Sequence, residues 1–136
     1  MAREFPLSVV APDKSVVEET VTSVVAPGVE GYFGVLYGHA PVIAALRPGL
    51  LEYLDPIGTH HYVYVGGGFA EVREDRVTIL ADEAARAKDI DIARAEASLE
   101  EARRTLRGED GKVPEQEAVL EVERAVARLK AARAVR

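Results

Sequence analysis

Four charged side chains in the last third of the chain have the spacing to hold an anion. Asp91 and Arg94 are three residues apart, and Arg124 and Arg128 are four apart. On helices each pair shares a face. Were the two segments antiparallel helices, the start of the first would lie beside the end of the second and the four residues would surround one anion. The arginines supply planar forks suited to phosphate, though as like charges they mildly oppose their own helix.

The three histidines, His39, His60 and His61, are the other place to look for chemistry. A metal-binding barrel would need two of them and an acid, such as Glu71, to converge inside it. His60 and His61 are adjacent on a predicted strand and must point to opposite faces, which argues against a shared metal. His39 lies in a Gly-His-Ala-Pro turn and is expected to hydrogen-bond to it. Gly66, Gly67 and Gly68 have the composition of a phosphate loop, yet they lead into another strand and no Lys-Ser/Thr follows. They read as a bulge or a close backbone crossing. No Ser-His-Asp or Cys-His arrangement is present, and the absence of cysteine removes disulfides and thiolate metal sites. The chain reads as non-catalytic.

The elements that carry these residues divide in two. Nine of 11 glycines and six of seven prolines precede residue 88, and Ala, Glu and Arg dominate the remainder of the chain. The boundary predicts a β domain over residues 1–87 and a helical one over 88–136. In the first, residues 4–11 alternate Phe5, Leu7 and Val9 on one face, and residues 16–26 are rich in Val and Thr. Short apolar runs come next at 32–37, 42–46, 50–54, 59–65, 69–73 and 76–81, the last two joined across Glu74-Asp75 as a hairpin. In the run at 59–65, Tyr62 and Tyr64 share one face, Val63 and Val65 the other. About eight to ten strands with frequent Gly and Pro turns predict a mainly antiparallel β-sandwich or flattened barrel.

In the second part Ile92, Ala95, Leu99, Ala102 and Leu106 form one helical stripe, capped by Asp89 or Asp91 and stopped by Gly108. A polar turn at 109–113 leads to Pro114 as first residue of a second helix, whose stripe is Val119, Val122, Val126 and Leu129. So short a link predicts an antiparallel two-helix hairpin. Its seam of small residues is thin, which predicts a hairpin only marginally held and able to open.

Net charge is −6, which argues against a nucleic-acid partner. The five basic residues of 124–136 stand without an acid, behind Glu115, Glu117, Glu121 and Glu123, an order that complements a helix dipole. No apolar run approaches the length of a spanning helix, so any membrane role is expected to run through a partner, and the lack of cysteine suits a reducing cytosol.

Residues 27–49, PGVEGYFGVLYGHAPVIAALRPG, together with YVGGGF at 64–69, VTILAD at 77–82 and IDIARA at 90–95, fall in the order and spacing of one family. Over essentially the whole chain the sequence resembles the epsilon subunit of bacterial and chloroplast F-type ATP synthases. That resemblance implies a non-catalytic rotor subunit of the proton-translocating enzyme's central stalk. Its sandwich would clamp the gamma subunit to the c ring, with Glu30, Gly31, Tyr32 and His39 as ring-docking residues. Its hairpin would be regulatory: folded, it leaves rotation free; extended along gamma, it blocks ATP hydrolysis, with Arg124, Arg128, Lys130 and Arg133 meeting the acidic DELSEED region of a beta subunit.

The resemblance implies no required cofactor, but it does imply ATP as a regulatory ligand. Ile90, Asp91, Arg94 and Ala95 match an Ile-Asp-x-x-Arg-Ala motif that acts with two arginines, here Arg124 and Arg128. Two positions depart from that pattern: Glu101 stands where a further arginine is expected and Ala85 where an acid is expected. A carboxylate near phosphates is repulsive, so weak binding is predicted. An acidic protein surface is the competing occupant of the basic helix. The expected location is peripheral, on the cytoplasmic face of a bacterial membrane or the stromal face of a thylakoid, reached through the c ring. The isolated chain is expected to be a monomer. The alternative, a free-standing β-sandwich adaptor with a helical interaction tail, would dimerise through the stripe at 92–106.

Overall fold

The computed structural model describes residues 3–109, 111 and 113–136. Eight strands precede two helices: β1 Phe5–Ala11, β2 Lys14–Val21, β3 Ser23–Gly28, β4 Gly31–Val35, β5 Val42–Leu54, β6 His60–Arg73, β7 Arg76–Ala81, β8 Ala84–Arg86, α1 Ile92–Leu106 and α2 Glu115–Ala134. The strands form one sheet in the order β2-β1-β7-β6-β5-β3-β4, with β8 beside the first half of β6. Because β2 and β4 are free edges, the sheet is not closed, and the flattened-barrel version of the expectation gives way to an open sandwich. Its two layers follow from burial. One core cluster takes Leu7, Val17, Val24, Val35, Leu51, Val63 and Ile79, and so draws on each of β1 to β7. A sheet can bring seven strands to one core only by folding over on itself.

The runs at 42–46 and 50–54 turn out to be one strand, β5, and those at 59–65 and 69–73 another, β6. Their interruptions face each other: Pro48 pairs with Gly66 and Leu46 with Gly68. Here Gly and Pro bend two paired strands together and do not end them. Gly68 has φ +131°, and a Cβ there would lie 2.1 Å from the Leu80 carbonyl oxygen. The run at 16–26 is instead divided at Thr22, because β2 pairs with β1 whereas β3 pairs with β5. Among the described residues six of the seven strand pairings are antiparallel; β1 and β7 run parallel, Leu7 opposite Val77. No tight turn joins those two strands, so nothing forces them antiparallel. Glu74 and Asp75, with φ of 51° and 57°, make the predicted β6–β7 hairpin turn.

Asp91 is the cap of α1, its Oδ1 accepting the Arg94 backbone N–H at 2.9 Å. After α1, Gly108 adopts φ +82° and the Glu109 N–H returns to the Arg104 carbonyl, closing the helix. Of the turn read at 109–113, Asp110 and Lys112 lie outside the described residues. Pro114 caps α2 from just outside it. The seam between the helices joins Ala95, Leu99 and Ala102 to Val122, Ala125 and Leu129. Val119 and Val126 do not belong to it and are exposed, as is Leu106. The cause is that α2 packs on two sides. Ala127 and Ala131 lie against Tyr64 and Ala87 on the outer face of the sheet, with Leu50, Tyr62 and Ile90 around them. Alanines, too weakly apolar to mark a stripe, make much of both contacts.

Candidate functional site

Glu30, Gly31, Tyr32 and His39 line one open cleft of about 540 Å³ at the end of the sandwich where β3 turns into β4. Val29 and Ile43 share it, and Ile43 is 71% exposed. The β3–β5 register shifts between Val25 and Gly28, and beside that irregularity Tyr32 reaches across Gly49 so that its Oη accepts the Leu50 N–H at 3.1 Å. The Arg47 guanidinium lies 5.6 Å over its ring. His39 is held by its own turn, as expected: Nδ1–H donates to the Ala40 carbonyl at 2.6 Å and the backbone N–H to the Leu36 carbonyl. Asp75 of the β6–β7 turn accepts the neighbouring Gly38 N–H at 3.0 Å, tying the two loops together. The result is a mostly apolar rim with one carboxylate, Glu30.

His60 pairs with Glu52, whereas His61 donates to Asp55 at 2.8 Å and stacks on Tyr53. That hydrogen bond from His61 and a second from the Thr59 N–H hold the Asp55 carboxyl below its ordinary range. Among the described residues no group of three His, Asp or Glu comes together as metal ligands do.

The charged residues of the helices have separate surroundings. Asp91 spends one oxygen on the cap, and the Arg94 side chain is exposed at the start of α1. Ile90 packs in both helix contacts, its carbonyl accepting from Arg136, and Ala95 is buried in the seam. Arg124 and Arg128 turn toward the sheet. The Arg124 Nε–H donates to the Gly66 carbonyl at 3.0 Å, and its terminal nitrogens lie 3.9 Å from Asp82 and from Glu83 and 3.5 Å from Glu121. Arg128 lies 5.5 Å over the Tyr64 ring and 3.5 Å from Glu121. Among the described residues no hydrogen bond or ion pair links Asp91 or Arg94 to either arginine. Glu101, with Glu117 and Glu121, shares a cleft of about 310 Å³ with Arg128, and Ala85 packs in the apolar contact with α2. Lys130 and Arg133 face outward, Arg133 lying 3.4 Å from Glu96.

Two residues that sequence reasoning passed over, Tyr64 and Glu83, lie at the centre of this contact. The buried Tyr64 hydroxyl donates to Glu83 at 2.7 Å; burial first, then the Glu83 carboxylate, pushes the phenol well above its ordinary value. Only the fold brings Glu83 beneath α2. On the open part of the sheet's outer face, Phe69 and Leu80 are cross-strand neighbours, each 55% exposed.

Two family models match the chain: the ATP synthase, Delta/Epsilon chain, beta-sandwich domain over residues 4–87, and the ATP synthase, Delta/Epsilon chain, long alpha-helix domain over residues 88–133. The ATP synthase epsilon chain of Nitratidesulfovibrio vulgaris (strain DP4) is 45% identical over 130 residues, 96% of each chain. That of Syntrophobacter fumaroxidans is 46% identical over 133 residues, 97% of this chain and 98% of the other. Among solved structures, a chain of the Euglena gracilis mitochondrial ATP synthase, OSCP/F1/c-ring in rotational state 1, superposes with a TM-score of 0.79 at 28% identity, over 95% of this chain and 81% of that one. A chain from the Tetrahymena thermophila mitochondrial ATP synthase central stalk/c-ring structure, TM-score 0.59 at 11% identity over 98% of each chain, shares the fold.

Proposed function

The chain belongs to the ATP synthase delta/epsilon chain family, and from that premise we propose that it joins the gamma subunit to the c ring as a non-catalytic part of the central stalk and restrains ATP hydrolysis through its helices. The observation that carries the first half is the convergence of Glu30, Gly31, Tyr32 and His39 with Val29 and Ile43 on one cleft at one end of the sandwich. A joint under torque needs a stiff body, and a permanent interface is more apolar than a transient one. The paired strands supply stiffness, and the cleft rim supplies the contact with the ring. Phe69 and Leu80 offer the gamma subunit a second apolar contact on the outer face.

For the second half, the support is the opposite outlook of four cations. Lys130 and Arg133 are open to an acidic beta-subunit surface while the helices stay docked; Arg124 and Arg128 reach it only when the helices leave the sheet. ATP would have to draw these two arginines off Glu83 and Glu121 beside the further carboxylates Glu101 and Glu117, so we propose that nucleotide binds weakly. No described helix is long and apolar enough to cross a membrane, and we propose a peripheral position held through the c ring, on the cytoplasmic face in a bacterium.

Reconstituted vesicles test the joint. Ile43→Glu should abolish ATP-driven proton pumping while hydrolysis by the detached catalytic head persists; unchanged pumping would refute ring docking. Lys130→Ala with Arg133→Ala leaves the sheet-facing arginines in place and should raise hydrolysis by the assembled enzyme. An isolated chain that sediments as a dimer would favour the adaptor alternative.

A further inference from the structure

The contact between α2 and the sheet has an apolar part and a polar part, and they do different work. The apolar part gathers Ala127 and Ala131 with Tyr64 and Ala87, ringed by the partly buried Leu50, Tyr62, Ala85 and Ile90. Small flat contacts of this kind adhere without fixing one position. The polar part is specific. Gly66 lies in the gap where pairing of β6 with β8 ends, at Val65 with Ala84, and pairing with β7 begins, at Gly68 with Ala81. Its carbonyl takes the Arg124 Nε–H, and the Arg124 side chain is only 17% exposed. Glu83 is shared: one oxygen accepts from Tyr64, and the other faces Arg124. Arg128 covers the same tyrosine ring.

The chain leading to the helices is fixed just as specifically. Arg86, the last residue of β8, donates to the Val16 carbonyl at 3.1 Å, to the Tyr53 hydroxyl at 3.1 Å and to Glu19 at 2.7 Å. Any departure of the helices must therefore pivot beyond Arg86, in the five residues 87–91 that precede α1, the first three of them a 3-10 turn.

We propose that Arg124 is the catch, and Arg86 the fixed end, of a two-point device that holds the helices on the sheet through the Gly66 carbonyl and the protein's own carboxylates, with no nucleotide required. The inference rests on reading the helices as the mobile, regulatory part. It makes Arg124 and Glu83 the residues that set how often they leave. The anionic partners of Arg124 are already supplied by Asp82, Glu83 and Glu121, so an added anion competes with the catch.

The chain has no cysteine, so Glu123→Cys on α2 and Arg76→Cys at the β6–β7 turn allow two spin labels to be placed uniquely on the full-length protein. Without nucleotide, the otherwise unaltered chain should show one short distance. Arg124→Ala and, separately, Glu83→Gln should each raise the long-distance fraction at least tenfold, and the double variant should add little to either, as expected of partners. Urea unfolding of the sandwich serves as the control for folding. An unchanged distance in both single variants overturns the proposal, as does a short distance that forms only after MgATP is added. Hydrolysis by the assembled enzyme separates the two readings. Glu83→Gln is the variant for this, because it opens the catch and leaves all four cations of the beta-subunit contact in place. An opened catch with unchanged hydrolysis keeps this inference and refutes the regulatory one, and relief by the Lys130 and Arg133 substitutions with an unopened catch does the reverse.

Discussion

Arg86 and Glu19 meet at 2.7 Å, binding the strand that leads to the helices to the edge strand β2. The Arg86 hydrogen bond is the main cause that holds the Glu19 carboxyl below its ordinary 4.5, with burial opposing it and Tyr53 assisting. A depressed carboxyl contributes stability that is whole above the unfolded value and is lost as pH falls through the folded one. Urea midpoints should therefore drop below pH 4.5, and Glu19→Gln should remove part of that drop. Superimposable pH profiles for the two proteins would discount the pair.

At Gly68 a side chain has nowhere to go. Gly68→Ala combines a positive φ with a Cβ placed 2.1 Å from a β7 carbonyl, and should cost at least about 3 kcal/mol in chemical unfolding of the sandwich. A loss under about 1 kcal/mol would mean that β7 yields easily.

Tyr32 separates packing from docking. Tyr32→Phe keeps the ring in the cleft but leaves the Leu50 N–H without its acceptor, which should lower stability by about 1 kcal/mol. Proton pumping should survive this change and fail with Ile43→Glu. Equal loss in both would make the Tyr32 hydroxyl itself part of the docking contact.

The seam between the helices is shallow enough to be cut by one substitution. Leu129→Ala should cost about 2 to 3 kcal/mol and remove helical circular dichroism at temperatures where the sandwich signal is intact. In the unsubstituted chain, amides of α1 should exchange faster than those of Val63 and Val72 in the core. Protection in α1 equal to that of the core would contradict a marginal seam.

What could be read from the sequence was local. The β6–β7 turn needs only Glu74 and Asp75, the α1 cap only Asp91 and the N–H three residues on, and both are present. The alternation in β1 placed Phe5, Leu7 and Val9 in the core because a half-buried strand has one period. Readings that depended on distant chain went differently. Pro48 looks like the end of a strand until it is seen opposite Gly66, inside one continuous pair, whereas the close backbone crossing read at Gly66 to Gly68 is present, a Cβ on Gly68 falling 2.1 Å from the Leu80 carbonyl oxygen. Val119 and Val126 look like core because valine is apolar, but a helix packed on two sides by alanine leaves them outside. Arg124 was legible as a cation on a helix; its partners Gly66, Asp82 and Glu83 lie in another part of the chain, and no local pattern marks them.

The parallel pairing of Leu7 with Val77 also orders events during synthesis. β1 emerges from the ribosome first yet lies between β2 and β7, so its second neighbour appears only when nearly the whole sandwich has been made. Until then it has β2 alone, and an isolated pair of strands is marginal in water. The sheet must therefore close late, from partners far apart in the chain, which makes its folding slow compared with that of helices. The helices, translated after the strands, then meet a surface already finished: Tyr64 in place, the Gly66 carbonyl outward, and Glu83 beside it.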